Sequence, residues 1–136
     1  MLEQVGLDRV NYTFITAGEA ANDDAVLPSR STLDEGWLKD YAQRRIDKVD
    51  PLVGYTLSGA TTPLYFDAEA ERANSEAAAS VCEAGMRAGL FVPLPSLMGL
   101  GPRAGLVMGS SLAQADSAKL IAENAAALVA CAHMFH

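Results

Sequence analysis

The sequence predicts an α+β domain in which a central antiparallel sheet is covered by helices on both faces. Three observations carry this expectation. Residues 10–17, Val-Asn-Tyr-Thr-Phe-Ile-Thr-Ala, concentrate the β-branched and aromatic types that suit a pleated surface. Two apolar runs, residues 89–94 and 104–110, flank a Gly/Pro-rich connection, the pattern of a hairpin with a long tip. Alanine-rich helical stretches precede, separate and follow these strands, which is α+β order rather than a regular βαβ alternation.

The 136 residues fit one domain spanning the whole chain, and at 50% hydrophobic they supply a core of ordinary size. Seventeen acidic against ten basic side chains give a net charge of −7 with no Lys/Arg cluster. Direct contact with a phosphate backbone therefore has little electrostatic support. The N-terminus, Met1-Leu2-Glu3-Gln4, has neither a basic nor an apolar leader region, and no apolar run approaches the roughly 20 residues needed to span a bilayer. These features predict a cytoplasmic protein without a membrane partner. Cys82 and Cys131 lie far apart in Ala-rich sequence and read as buried thiols, not metal ligands.

In chain order, the first strand is followed by a polar loop at residues 18–32. Leu33 or Asp34 opens a helix to about Val49, on which Trp37, Tyr41 and Ile46 share one face. Pro51 ends it, because the residue before a proline is driven out of the α region. A short helix over residues 52–58 gives way to Gly59-Ala-Thr-Thr-Pro63 and the small apolar run Leu64-Tyr65-Phe66. Asp67 is an N-cap for a single helix over residues 68–84, with a stripe of Ala70, Ala73, Ala77 and Val81 and Gly85 at the C′ position. After the hairpin, residues 116–136 return to helical spacing through Ile121, Ala125, Leu128, Ala132 and Phe135. That stripe is a candidate dimer surface.

Catalytic chemistry is poorly provided for, and a non-enzymatic role is expected. The two histidines, His133 and His136, sit at the chain end, where no base is held beside a nucleophile. Gly99-Leu-Gly101-Pro-Arg-Ala-Gly105 departs from phosphate-loop spacing, and Pro102 removes an amide donor, so a hairpin tip accounts for it. Acidic pairs such as Glu69 and Glu71 read as solvated surface. One constellation stands apart: Trp37, Tyr41 and Asp50-Pro51, an indole, a phenol and a carboxylate beside an apolar sheet. An aromatic pair one turn apart usually packs a core, and Asp before Pro usually ends a helix. Together they supply the few orienting polar groups of a small-molecule pocket.

Trp37-Leu-Lys-Asp-Tyr41, Asp50-Pro51-Leu-Val and Glu83-Ala-Gly-Met-Arg-Ala-Gly89-Leu-Phe-Val-Pro93-Leu resemble the autoinducer-binding domain of LuxR-type quorum-sensing transcription regulators. The resemblance runs from about Val5 to the C-terminus. It implies an α-β-α sandwich, with an antiparallel sheet of about five strands, that binds an N-acyl-homoserine lactone between the sheet and one helical layer. By position, Trp37 would donate to the lactone carbonyl, Asp50 would accept from the ligand amide, Tyr41 would wall the acyl chain, Pro51 would complete the Asp-Pro motif, and Gly89 would admit close backbone packing. Three positions depart from the family pattern. Leu33 replaces a frequent tyrosine, Tyr65 a tryptophan, and Met108 a small hydroxyl residue, so a different pocket shape follows, with Tyr65 and Met108 expected at its acyl end or roof.

The resemblance also implies a helix-turn-helix domain, which has no counterpart before His136, and a first helix that here looks short or absent. An excised sensor domain and a natural single-domain relative both fit. The expected ligand is a small amphipathic autoinducer with no further cofactor. The expected protein partner is a second copy or a full-length regulator; the alternative function is modulation of such a regulator by heterodimerisation without any ligand.

Overall fold

The computed structural model describes residues 6–16, 25–94, 103–112 and 114–135. The elements are β1 Arg9–Thr16, β2 Ala25–Ser31, α1 Glu35–Gln43, α2 Pro51–Leu57, β3 Leu64–Asp67, α3 Ala68–Glu71, α4 Glu76–Glu83, β4 Ala88–Leu94, β5 Arg103–Ser110 and α5 Gln114–Phe135, with a 3-10 turn at Ile46–Lys48 between α1 and α2. The five strands lie in the order β2-β1-β5-β4-β3 and every pairing is antiparallel. The α+β class, the antiparallel sheet and the hairpin of the last two strands agree with the sequence expectation; the expected hairpin tip, residues 95–102, lies outside the described residues.

Strand alternation sorts the core into two layers. Val10 and Tyr12 of β1, Leu106 and Met108 of β5, and Leu90, Val92 and Leu94 of β4 point to one face, where they meet Leu7 and the α5 residues Ile121, Leu128 and Ala132. Phe91 and Val107 point to the other, against Leu33, Trp37, Leu38, Leu52, Tyr55, Phe66, Val81 and Met86. All seven residues of β4 are buried, which is why its sequence is continuously apolar rather than alternating. Pro93 lies past the last β3 partner, Leu64 opposite Phe91, where β4 has become an edge and a missing N–H is tolerated. Ile121, Leu128 and Ala132 of the α5 stripe are buried against the sheet.

Three expectations need correction. Residues 25–31, read as part of a polar loop, form β2. It is an edge strand bonded on one side alone, so it accommodates Pro28, and the register slips between Tyr12 opposite Arg30 and Thr13 opposite Pro28. The helix expected to run to Val49 stops at Gln43, because Arg45 adopts the left-handed conformation with φ 53°; Ile46 is fully buried from the turn beyond, not from the face of Trp37 and Tyr41. The helix expected over residues 68–84 is two helices. Asp67 does cap the first, accepting from Ala70 N at 3.0 Å, but the Ser75 side chain accepts from Ala78 N at 3.2 Å and starts a second one. Ala70 and Ala73 of the expected stripe are consequently exposed. The apolar run at residues 64–66, to which the sequence assigns no element, belongs to the edge strand β3.

Gly85 closes α4 with φ +85°, while Gly85 N donates to Cys82 O at 3.0 Å and Met86 N to Val81 O at 3.1 Å. This is the paired arrangement that favours a left-handed glycine after a helix. It turns Met86 inward, 2% exposed, against the sheet. Cys82 and Cys131 are half-buried rather than fully enclosed, and His133 is exposed.

Candidate functional site

On the face opposite α5, the sheet and helices α1, α2 and α4 line a partly open cavity of about 120 Å³. Its floor is one row across three strands: Asn11 of β1 pairs with Val107 of β5, which pairs with Phe91 of β4. Thr13 extends the floor. Trp37, Leu38, Tyr41 and Ala42 form one wall, Asp50 with Leu52, Val53 and Thr56 a second, and Phe66, Val81 and Met86 close the end. Glycines on the same sheet face give these side chains room. A Cβ on Gly105 would stand 2.5 Å from Phe91 Cε2, and one on Gly109 would collide with the Met86 sulfur. At Gly89 a Cβ would lie 2.5 Å from the Met108 carbonyl oxygen and 2.7 Å from Phe66 Cζ.

Trp37 and Tyr41, one turn apart on α1, stack with centroids 5.3 Å apart at 39°. The indole N–H donates to the Ser80 carbonyl oxygen at 2.8 Å, which ties α1 to α4. The Tyr41 hydroxyl donates to Asp50 Oδ2 at 2.7 Å, and Asp50 Oδ1 accepts from Leu52 N at 2.9 Å as the N-cap of α2. Pro51 occupies the first turn of α2, where its missing N–H costs nothing. Asp50 is thus both a helix cap and a wall of the cavity. The left-handed turn at Arg45 is what folds the chain back so that a residue nine positions past Tyr41 meets its hydroxyl.

Burial raises the Asp50 carboxyl above its ordinary value, against the lowering effect of the Tyr41 hydroxyl and the Leu52 and Val53 amides. Burial, then the adjacent Asp50 charge, raises the Tyr41 phenol well above its ordinary value. Tyr41 therefore stays protonated and acts as the donor of the pair.

The other expected site residues divide. Leu33 is buried beneath this layer at 6% exposure without lining the cavity. Tyr65, 38% exposed, lines a second, outer cavity of about 420 Å³ between α2, β3, α3 and α4; Asp50, Leu52, Phe66 and Val81 stand between the two spaces. Met108, expected at the acyl end or roof of the pocket, is on the wrong face. It is fully buried toward α5, and its neighbour Val107 lines the cavity instead. The reason is parity: successive strand residues point to opposite faces, so a displacement of one position exchanges them.

Sequence reasoning missed Asn11. Its Oδ1 is buried, and among the described residues nothing donates to it. A signal existed in the alternation Val10-Asn11-Tyr12-Thr13: in a sheet covered on both faces, the polar side of a strand has no solvent to face and must line an internal site. Among the described residues no cluster of His, Cys, Asp or Glu is placed to hold a metal ion, and no helix is long and apolar enough to cross a membrane.

A partly open cavity between an antiparallel sheet and a helical layer, with the Asp50 carboxylate and the Trp37 indole among its described walls, is the anatomy that the resemblance implies. The family model of the autoinducer binding domain matches residues 1–136. The chain belongs to the autoinducer-binding domain family. No curated protein matches the sequence, but solved structures share its fold. CepR2 from Burkholderia cenocepacia, described as an N-acylhomoserine lactone dependent LuxR family transcription factor, superposes with a TM-score of 0.74 at 17% identity, covering 98% of this chain and 78% of that one. SdiA from Escherichia coli gives a TM-score of 0.65 at 12% identity over 90% of this chain and 56% of its own. The LBD domain of VqsR from Pseudomonas aeruginosa gives 0.64 at 13% identity, with 95% and 77% covered. This autoinducer-binding domain spans little more than half of the SdiA chain, and at these identities the likeness is one of fold. The α-β-α sandwich is the architecture of the family, and binding small-molecule signals is the family's role.

Proposed function

We propose that this autoinducer-binding domain senses a small amphipathic molecule, an N-acyl-homoserine lactone being the first candidate, on behalf of a LuxR-type transcription regulator. The observation that carries the reading is the cavity itself: apolar walls around the Tyr41–Asp50 pair, between the sheet and one helical layer. It has the composition of a ligand site, mostly apolar with a few placed polar groups. Asp50 keeps acceptor capacity while bonded to Tyr41 and Leu52, because each carboxylate oxygen has two lone pairs, so it can take a ligand amide N–H without breaking its present bonds. Trp37 differs. Its single donor is committed to Ser80, so donation to a ligand carbonyl requires exchange away from α4. CepR2 is described as N-acylhomoserine lactone dependent and SdiA as complexed with octanoyl-rac-glycerol, which supports an amphipathic acyl ligand here.

A second reading, a partner that heterodimerises with a full-length regulator and binds nothing itself, is favoured by the cavity volume. About 120 Å³ is below the roughly 300 Å³ lower bound of ordinary ligand pockets. Under the first reading the helical layer must spread, and the outer cavity beyond Phe66 and Leu52 is the adjoining space into which it can open. Organic extraction of the purified protein followed by mass spectrometry, with calorimetric titration of N-octanoyl-homoserine lactone, separates the two. A stoichiometric extracted signal or saturable binding supports sensing; no extract, no heat and tight association with a full-length regulator supports the partner role.

A further inference from the structure

The inner cavity, about 120 Å³, and the outer one, about 420 Å³, share Asp50, Leu52, Phe66 and Val81 among their described lining residues. Three of these four are apolar, and Phe66 is the largest of them. It stands on β3 opposite Gly89 of β4, and its ring lies so close over that glycine that a Cβ there would come within 2.7 Å of Cζ and 2.9 Å of Cε1. A residue without a side chain at position 89 is therefore what lets the ring lie across the sheet between the two spaces. Asp50 alone of the four is polar, and its carboxylate keeps lone pairs beyond the bonds from Tyr41 and Leu52 N.

A ligand N–H that bonds to Asp50 is held at the junction of the two spaces, and the groups on either side of it face unequal room. About 120 Å³ is close to the roughly 150 Å³ that admits benzene in an engineered protein core, whereas about 420 Å³ lies inside the roughly 300–1,000 Å³ of ordinary ligand pockets. One ring fills the first. We infer that Phe66 is a specificity-determining residue: as the partition between the cavities, it restricts the ligand to an amide that is compact on one side, no larger than a single six-membered ring, and extended on the other. The inference rests on the reading of the inner cavity as a ligand site and adds a size limit to it, with the residue that sets the limit. Shortening Phe66 merges the two spaces, so the limit goes with it.

N-phenyloctanamide and N-(2-naphthyl)octanamide test this, because both carry the amide and the extended chain and they differ by one fused ring on the other side. Calorimetric titration into the full chain should favour the phenyl compound by about tenfold or more, the cost of forcing a surplus ring into a filled site. In Phe66→Ala, and less completely in Phe66→Leu, the preference should fall to about twofold or less, because the space left by the side chain accommodates the second ring. In the unsubstituted protein the Phe66 ring should show NOEs both to the phenyl protons and to the octanoyl methylenes, a readout that does not depend on a variant folding. A preference unchanged by both substitutions, NOEs from Phe66 to one end of the ligand alone, or no binding of N-phenyloctanamide overturns the proposal. Titration of N-octanoyl-homoserine lactone in parallel keeps the two readings apart: if it binds while the proposal fails, the cavity remains the ligand site and Phe66 is not its partition, and if neither it nor the amides bind, both readings fall.

Discussion

Removing the Tyr41 hydroxyl tests the polar pair on which the cavity is organised. Tyr41→Phe keeps the ring, and with it the 5.3 Å stack on Trp37, while deleting one O–H donor 2.7 Å from Asp50 Oδ2. That separation is typical of a charge-assisted bond, worth about 1.5–3 kcal/mol net. Asp50 retains the Leu52 and Val53 amides, so the carboxylate is not stranded, and a loss of about 2 kcal/mol at pH 7 is expected. The pH dependence carries the sharper information. Burial raises the Asp50 carboxyl in the folded state and the Tyr41 bond lowers it, so the variant's carboxyl should rise further. A carboxyl raised by folding holds its proton longer in the native state than in the unfolded one, so its stabilisation is full below the unfolded pKa and is lost as pH rises through the folded pKa. In the variant that loss is larger and extends to higher pH. The gap between the two proteins should therefore be widest at pH 7 and narrow on acidification toward about 1 kcal/mol, the worth of a neutral bond. Urea unfolding at several pH values reads this directly; 2 kcal/mol corresponds to a midpoint shift of about 1 M for a slope near 2 kcal/mol/M. A gap under about 0.5 kcal/mol at pH 7, or one independent of pH, would refute the assignment of Tyr41 as donor to a buried, ionised Asp50.

Three further outcomes follow from the same geometry. Asp50→Asn keeps an N-cap of similar quality but loses the charge, so α2 should persist while affinity for an amide-bearing ligand drops roughly tenfold to a hundredfold; calorimetry showing unchanged affinity would exclude Asp50 from ligand contact. Met108→Ser removes a fully buried side chain from the α5 layer and should cost about 2–5 kcal/mol in urea unfolding without altering the rank order of ligands, whereas Val107→Ser should alter that order. Gly105→Ala drives a methyl to 2.5 Å from Phe91 Cε2; an overpacking cost of about 1–3 kcal/mol is expected, with a perturbed Phe91 ring resonance by NMR as the companion observation.

The legibility of each element followed from how local its cause is. The cap at Asp67 and the C′ glycine at Gly85 act within a turn of their own residues, and both stand where the sequence placed them. The strand β2 did not announce itself, since an edge strand needs neither a continuous apolar run nor freedom from proline. The break between α3 and α4 was hidden by high alanine content, because helix propensity is a weak prior that a competing Ser75 cap overrides.

What this sequence determined by itself is the family, the antiparallel α+β class and the gathering of an indole, a phenol and a carboxylate, because those follow from residue types at fixed spacings. Which strand residues face the cavity was decided by the tertiary structure alone. Side-chain direction alternates residue by residue, so the choice between Met108 and Val107 depends on register against β1 and β4, which no local pattern encodes. Asn11 differs: the alternation along β1 marks it as the polar side of the strand, and the packing of α1 and α2 over that face is what leaves its Oδ1 buried without a donor among the described residues.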